Sequence, residues 1–197
     1  LGDGQGNTWT PWDDGLAGNG ESYGMFGTDL GDIDNDGYLD IASNSFGAGK
    51  GIHIYRNNHN GTWQQSYQFG SGNTFRYIQF GDMDGDGNTD FVASNYAGST
   101  FFGKGNGTFE LKSAGLPPLP GPAGWPYEDV SLYDIDNDGD DDFIFTYRNS
   151  STSMGGVYVY KWNRNAQQWV NHSAGLPAVA NDKFTCARAA DIDMDGF

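Results

Sequence analysis

The chain has 197 residues, with 26 acidic residues against 10 lysines and arginines, and a formal net charge of −16 at pH 7. This balance argues against nucleic-acid binding, which needs a basic surface to neutralise phosphates. No apolar run approaches the ~20 residues that cross a bilayer as a helix, and the single cysteine, Cys186, excludes an internal disulfide. The 31 glycines and the 15% aromatic residues favour a secreted β-protein over a cytosolic enzyme.

The chain starts with LGDGQGNTWT, a segment that matches FFGKGNGTFE at Phe101–Glu110. Both segments have the pattern of two short strands around a glycine-rich turn. Residues 1–20 are therefore predicted to be the end of a repeated unit.

Three complete units follow, each with four strand-like runs. The first unit, residues 21–72, has runs at Tyr23–Gly31, Leu39–Ser43, Gly51–Arg56 and Thr62–Phe69. The second unit, residues 73–126, has them at Phe75–Phe80, Thr89–Ser94, Thr100–Gly103 and Thr108–Leu111. The third unit, residues 127–180, has them at Asp129–Tyr133, Asp142–Tyr147, Gly156–Trp162 and Gln168–Asn171. Residues 181–197 begin a further unit.

Each unit carries an acidic nonapeptide, Asp-x-Asp-x-Asp-Gly-x-x-Asp, between its first two runs. Carboxylates at positions 1, 3, 5 and 9, with a glycine at position 6 that turns the backbone, can surround a hard cation of the size of calcium. The candidate ligands, with position 7 included for each complete loop, are Asp32, Asp34, Asp36, Tyr38, Asp40; Asp82, Asp84, Asp86, Asn88, Asp90; Asp134, Asp136, Asp138, Asp140, Asp142; and Asp191, Asp193, Asp195. The sequence therefore predicts three complete calcium sites and a truncated fourth.

The EF-hand is the alternative source of this spacing. An EF-hand closes its loop with a glutamate at position 12 and lies between two helices. Position 12 is Ser43, Ala93 and Phe145 here, and the flanking segments lack the i, i+3, i+4 pattern of a helix. We therefore place each metal loop in a β-hairpin, with the position-9 aspartate as closing ligand at the start of the second strand.

The long period of the repeat predicts the architecture. The loops start 50, 52 and 57 residues apart, and repeats of about 40 to 50 residues with several short strands are typical of β-propeller blades. We predict an all-β fold of four-stranded antiparallel blades, with about 3.5 blades forming one partial propeller domain over residues 1–197.

These units resemble FG-GAP or VCBS repeats, the blades of integrin α-subunit propellers and of many secreted bacterial and fungal proteins. The resemblance covers nearly the whole chain, and a recurring SAGLP at Ser113–Pro117 and Ser173–Pro177, with the shorter DGLA at Asp14–Ala17, marks the exit of each blade. It implies a calcium-stabilised propeller, usually of seven blades, used for adhesion, for carbohydrate binding or beside a catalytic domain. It does not imply one activity.

Both ends of the chain fall inside a unit. Because open blade edges can pair with other strands, we expect either a longer chain or a piece that completes its ring by assembling with others.

Aromatic residues divide into two groups. Trp125 and Tyr127, in the Pro-rich connection Lys112–Asp129, and Trp12, in another Gly- and Pro-rich loop, are candidate ligand-contacting residues, because a loop tryptophan offers a flat face to a sugar ring. Equivalent places on the last strand of each unit predict packing inside the blades for Trp9, Trp63, Phe109 and Trp169.

Four Asn-x-Ser/Thr sequons are candidate glycosylation sites: Asn149, Asn171, Asn60 and Asn106. The last two coincide with Asn-Gly pairs, where a tight hairpin turn is an equally good interpretation. Asn149, in a polar loop, is the best candidate acceptor.

Three functions stay open. The first is an extracellular or cell-surface calcium-binding propeller that binds a glycan or a protein, with calcium in a structural role. The second is the propeller of a polysaccharide lyase or similar carbohydrate-active enzyme, although no nucleophile elbow or zinc pattern supports catalysis and His53, His59 and His172 each stand alone. The third is a subunit of a glycosylated surface layer or filament that assembles through its open blade edges.

Overall fold

The structure, a computed structural model, describes residues 2–16, 25–45, 51–70, 75–94, 100–117, 127–149, 154–177 and 187–193. Within these ranges the chain forms twelve strands: β1 (Met25–Gly31), β2 (Asp40–Ser45), β3 (Gly51–Asn57), β4 (Trp63–Phe69), β5 (Ile78–Gly81), β6 (Asp90–Ala93), β7 (Thr100–Gly103), β8 (Phe109–Leu111), β9 (Tyr127–Tyr133), β10 (Asp142–Asn149), β11 (Met154–Asn163) and β12 (Gln168–Asn171). Among the described residues, no helix is long and apolar enough to cross a membrane.

The strands form three four-stranded antiparallel sheets, β1 to β4, β5 to β8 and β9 to β12, each in sequence order. We call these sheets the first, second and third blades. They confirm the predicted all-β fold of four-stranded propeller blades. The largest difference in bounds is at β5, which begins three residues after the start of the predicted run Phe75–Phe80 and ends one residue beyond it.

The hydrophobic cores lie between consecutive blades. The core between the first and second blades, the first seam, contains Ile33, Ala42, Ile52, Ile54, Phe75, Ile78, Phe91, Ala93, Phe101 and Phe109. The core between the second and third blades, the second seam, contains Met83, Val92, Phe102, Val130, Leu132, Phe143, Phe145, Tyr160, Trp162 and Trp169. The second blade contributes to both seams because successive residues of a strand point to opposite faces of a sheet.

The segment that leaves the second blade is held by the last strand of the third. Trp169 on β12 donates its backbone N–H to the Ala114 carbonyl over 2.8 Å and its indole N–H to the Lys112 carbonyl over 3.0 Å. A Cβ on Gly115 would lie 2.1 Å from the Trp169 carbonyl oxygen, and its φ of +88° also favours glycine. We call this contact between residues 112–116 and β12 the exit clamp. It explains the glycine of the SAGLP element.

A second exit clamp holds residues 12–16 against Trp63. The Trp63 backbone N–H donates to the Asp14 carbonyl over 2.7 Å, and its indole N–H donates to the Trp12 carbonyl over 2.9 Å. A Cβ on Gly15 would lie 2.1 Å from the Trp63 carbonyl oxygen. The repeat therefore predicted the role of Trp63 and Trp169 correctly.

The prediction that Trp9 packs inside a blade is wrong. The Trp9 side chain is 79% exposed, and its backbone forms an isolated β-bridge with Gly2. The physical reason is that no described segment lies against Trp9 in the way that residues 12–16 and 112–116 lie against the other two tryptophans.

Candidate metal centres

Each acidic loop lies in the first hairpin of its blade. Residues 32–39 connect β1 to β2, residues 82–89 connect β5 to β6, and residues 134–141 connect β9 to β10. We call them the first, second and third metal loops. In all three, the position-9 aspartate is the first residue of the second strand. The predicted β-hairpin setting is therefore confirmed.

The first aspartate folds each loop around its own carboxylate. Asp32 accepts N–H groups from Asp36 and Gly37 over 3.1 and 2.8 Å, and Asp134 makes the same two contacts with Asp138 and Gly139. Position 4 of each loop has a positive φ, and the three residues there, Asn35, Gly85 and Asn137, are of the types that tolerate it. These local preferences bend the loop without a helix.

The folded loops gather their carboxylates. One oxygen from each of three aspartates lies within 4.8 Å of the others in each loop, and the three clusters are Asp32, Asp34, Asp36; Asp82, Asp84, Asp86; and Asp134, Asp136, Asp142. Donor sets made only of oxygen are those that calcium and magnesium prefer.

The closing aspartates at position 9 are all buried. Asp40 accepts N–H groups from Ile33 and Asn57 over 3.0 and 2.8 Å, and Asp90 likewise has a backbone N–H partner for each oxygen. Asp142 accepts one N–H, from Ile135 over 3.2 Å, while its Oδ1 has no hydrogen-bond partner. The structure thus groups Asp142, but neither of its two counterparts, with the acids of its own loop.

Several carboxylate oxygens in these loops are buried without a hydrogen-bond partner. They are Oδ1 of Asp34, Asp82, Asp84 and Asp142. An unpaired buried polar group costs about 1–3 kcal/mol, and a charged one costs more. A bound cation satisfies such oxygens, so the residues present fit a hard divalent ion.

Burial also changes the acidity of these groups. It raises the pKa of Asp90 to about 8, with the Asp84 and Asp82 charges adding to the effect. It raises the pKa of Asp142 to about 6 and raises the pKa of Asp40. A positive charge in the loop favours the ionised carboxylates and reverses these shifts.

The sequence profile of the FG-GAP-like repeat matches the chain twice, over residues 32–93 and over residues 84–145. Each match runs from one metal loop to the strand beyond the next loop, and the two together span more than half of the chain. The chain belongs to the FG-GAP-like repeat family. No curated protein matches it.

The three FG-GAP-like loops have different cationic neighbours. In the first loop, Arg56 Nη1 lies 3.4 Å from Asp34 Oδ2, and His59 Nε2 lies 2.7 Å from Asp36 Oδ2. In the third loop, Lys161 contacts both Asp136 and Asp138. Within the described parts of the chain, no lysine, arginine or histidine forms an ion pair with the three clustered acids of the second loop.

The sequence alone does not reveal these basic neighbours, because each follows the acid that it contacts by more than twenty residues. Arg56 lies on β3 and Lys161 lies on β11, so only the strand register brings them to the acids. The spacing of an FG-GAP-like nonapeptide contains no signal for them.

The position-7 residues have contacts of their own. The Tyr38 ring stacks on His59 with centroids 3.9 Å apart, Asn88 Oδ1 accepts the Asn35 amide N–H over 3.0 Å, and Asp140 contacts Arg164. Their role as ligands stays a prediction. In the fourth loop, Asp191 and Asp193 are described, and Asp195 lies outside the described residues.

Of the three candidate ligand-contacting residues, the structure describes the backbone of Tyr127 and the side chain of Trp12. Trp125 lies outside the described residues, and Tyr127 is the first residue of β9. Trp12 lies edge-on to Trp63 with ring centroids 6.0 Å apart, as part of the exit clamp. Ligand contact by these residues stays a prediction.

The sequons occupy three settings. Asn60 and Asn106 each accept the backbone N–H and the hydroxyl of the threonine two residues later, which confirms their role in the turns. The Asn171 side chain donates to the Tyr160 hydroxyl over 3.2 Å. Asn149, predicted in a loop, is the last residue of β10 and pairs with Met154. Glycosylation stays a prediction at all four.

Proposed function

We propose that this FG-GAP-like chain is a calcium-stabilised propeller module that works outside the cell and binds a glycan or another protein. The observation that carries the calcium proposal is the set of three aspartate clusters whose buried oxygens lack partners. The aspartates at positions 1, 3, 5 and 9 would hold the ion. Bound calcium would supply the positive charge that ionises and satisfies these carboxylates.

The role of calcium is structural because the loops join neighbouring blades. Thr89 of the second loop donates its hydroxyl to the Asp32 carbonyl of the first over 2.5 Å. Asp141 of the third loop donates its N–H to the Asp82 carbonyl over 2.8 Å, and its carboxylate accepts the Asp82 N–H over 2.9 Å. An ion that fixes one loop therefore also fixes the contact between two blades.

The binding role is supported by the way the fold separates constant from variable parts. The two exit clamps repeat the same backbone hydrogen bond from a tryptophan N–H. The first and third metal loops share the two N–H contacts of their first aspartate. Strands β2, β6 and β10 end away from the metal loops, and the segments that follow them differ in sequence, as FGAGK, NYAGS and SSTS do. Variable connections on a regular scaffold are where binding surfaces are usually built.

The extracellular location rests on two observations. The chain has an exposed sequon at Asn171, and its acid clusters fit an ion that is abundant outside the cell. Extracellular calcium modules work with dissociation constants of about 10⁻⁴ to 10⁻³ M.

Thermal unfolding in calcium and in chelator tests the calcium proposal. One site at a hundred times its dissociation constant stabilises the fold by about 2.7 kcal/mol, so we expect the melting temperature to fall clearly in chelator. Asp84→Asn should reduce this calcium response. Glu110→Gln, which neutralises an exposed acid on β8 outside the loops, is the matched control and should leave it unchanged. If the unmutated chain has the same melting temperature in calcium and in chelator, the proposal is overturned.

Binding is tested on a glycan array and against extracellular proteins, with calcium present. Trp125→Ala is expected to lose the bound ligand while its calcium-dependent melt stays that of the unmutated chain. Trp12→Ala serves as a comparison, because loss of an exit-clamp residue should change the melt. Unchanged binding by Trp125→Ala would show that the ligand lies elsewhere.

A further inference from the structure

One position on the third strand faces the closing aspartate in every blade. Tyr55 pairs with Ile41, so the next residue, Arg56, lies opposite Asp40. The same register places Phe102 opposite Asp90 and Lys161 opposite Asp142. We call this place the facing position, and its three occupants are Arg56, Phe102 and Lys161.

The third metal loop has an internal cation at its facing position. The Lys161 side chain is only 16% exposed, and its Nζ lies 2.7 Å from Asp138 Oδ2 and also contacts Asp136. The same loop retains a buried Asp142 Oδ1 without a partner, and an Asp142 oxygen lies within 4.8 Å of those of Asp134 and Asp136. The lysine therefore neutralises part of the cluster and leaves one acid unsatisfied.

The second metal loop has no charge at its facing position. Phe102 is buried in the second seam against Trp162, with ring centroids 4.6 Å apart. Two cations act on Asp84 from a distance: Lys112, which lies over the Phe102 ring at 4.5 Å from its centroid, and Arg164, which contacts Asp140 beside Gly85. Among the described residues, neither forms an ion pair with the three clustered acids of the second loop. Two acids of this loop, Asp82 and Asp84, have buried oxygens without partners.

The first metal loop is intermediate. Arg56 lies 3.4 Å from Asp34, and its side chain is 46% exposed. The side chain of a half-exposed arginine can rotate away from the loop when an ion enters, because its length keeps the guanidinium charge in contact with solvent. Lys161 has less access to solvent and loses two carboxylate contacts when it moves.

We propose that the facing position sets how strongly each loop depends on a divalent cation, and so the order in which the loops bind calcium. This inference rests on the proposed calcium function. A lysine and a divalent ion in the same cluster repel each other, and the lysine has already taken up part of the negative charge that attracts the ion. The second loop therefore binds first, the first loop next and the third loop last.

This order makes the second loop the calcium-responsive part of the chain. It is the one loop of the three that has described contacts to a neighbouring loop on both sides, to Asp32 through Thr89 and to Asp141 through Asp82. In the third loop, Lys161 stays paired with Asp136 and Asp138 when calcium is low. A fall in calcium therefore loosens both seams at the second loop while the third loop stays ordered.

Amide NMR spectra of the full chain during a calcium chloride titration test the order. The glycine at position 6 of each loop donates its N–H to the first aspartate, over 2.8 Å for Gly37, 3.0 Å for Gly87 and 2.9 Å for Gly139. These three signals report occupancy loop by loop. We expect the Gly87 midpoint at the lowest calcium and the Gly139 midpoint at the highest.

Substitutions at Lys161 separate its charge from its shape. Lys161→Met should lower the Gly139 midpoint by about tenfold or more and leave the Gly87 midpoint within about twofold. Lys161→Gln provides a second neutral variant, and Lys161→Arg should keep the midpoint high. Lys104→Met removes an exposed positive charge on the turn after β7 and should leave all three midpoints within about twofold.

The outcomes distinguish the inference from the function on which it rests. Equal Gly139 midpoints in the unmutated chain and in both neutral variants overturn the role of Lys161 and leave calcium binding in place. A Lys104→Met shift as large as that of Lys161→Met also overturns it, because the effect is then one of net charge. If no glycine signal moves at millimolar calcium in any variant, the calcium function itself fails.

Discussion

The two seams between blades use equivalent positions of the FG-GAP-like repeat but different chemistry. At the first seam, position 8 of the loop is Thr89, whose neutral hydroxyl donates to the Asp32 carbonyl. At the second seam, position 8 is Asp141, whose carboxylate accepts the Asp82 N–H. At both seams this position provides a hydrogen bond to the preceding loop, from a hydroxyl in one case and to a carboxylate in the other.

The apolar parts of the seams differ in the same way. At the first seam, Phe91 and Phe101 stack with centroids 4.4 Å apart. At the second, Trp162 and Trp169 meet edge to face at 5.5 Å, and the Trp169 indole N–H has polar partners in Thr100 and Lys112. The second seam therefore adds hydrogen bonds to its aromatic contacts at Trp169, and losing that residue should cost more than losing an aromatic residue of the first seam.

The largest expected effect is that of Trp169→Ala. Removing a buried aromatic side chain costs about 3–5 kcal/mol, and this change also removes the indole hydrogen bond of the exit clamp. Phe109→Ala, at the equivalent place in the first seam, should cost less within the same range because only apolar contacts are lost. Denaturant unfolding in saturating calcium measures both. A larger loss for Phe109→Ala would contradict the ranking of the seams.

The next largest effect is expected at Gly115 of the exit clamp. Comparing it with Gly175 separates the cost of a steric clash from the cost of a left-handed backbone conformation. Gly115 and Gly175 have φ values of +88° and +87°, but a Cβ on Gly175 meets nothing within 4 Å. Gly175→Ala should cost about 1–2 kcal/mol from its left-handed conformation alone, while Gly115→Ala adds a clash of about 1–3 kcal/mol. If both variants lose the same unfolding free energy, residues 112–116 do not pack against β12.

A third effect is expected at position 8 of the third loop. Asp141→Ala leaves the partly buried Asp82 N–H without its carboxylate partner and should cost about 1–3 kcal/mol. Asp141→Asn keeps an acceptor oxygen and should cost less than about 0.5 kcal/mol. Denaturant unfolding at one fixed calcium concentration compares them. If the asparagine variant is as unstable as the alanine variant, the negative charge matters more than the hydrogen bond.

The smallest effect is the equivalent change at the first seam. Thr89→Val removes one neutral hydrogen bond while keeping the shape of the side chain, and it should cost about 1 kcal/mol. The same unfolding measurement applies, with Thr28→Val on the exposed face of β1 as a control of similar chemistry. A cost above that of Asp141→Ala would reverse the comparison between the seams.

The elements within one blade were predictable because their signals are local. The glycine at position 6 and the aspartate at position 9 place each hairpin, and the glycine of SAGLP marks each exit segment. Comparing equivalent positions also identified Trp63 and Trp169 as structural. The same comparison failed at Trp9, since its packing depends on a neighbouring segment rather than on its own repeat.

The contacts between blades could not be predicted because they join residues more than fifty positions apart. Trp162 has no counterpart among the tryptophans of other repeats, yet it fills the second seam because Phe102 faces it there.

The ion pairs of Arg56 and Lys161 lie within one blade and depend on strand register. The nonapeptides predicted three complete sites but not the different electrostatic setting that the structure gives each of them.

The exit clamp determines how the chain would respond to mechanical load. Residues 112–116 connect the second blade to the third, and they are bound to β12 by the Trp169 N–H groups. Tension along this connection would act first on these hydrogen bonds with the edge strand β12, before it reaches β9 at the other edge of the same sheet. The clamp would therefore yield before the hairpin that carries the third metal loop opens.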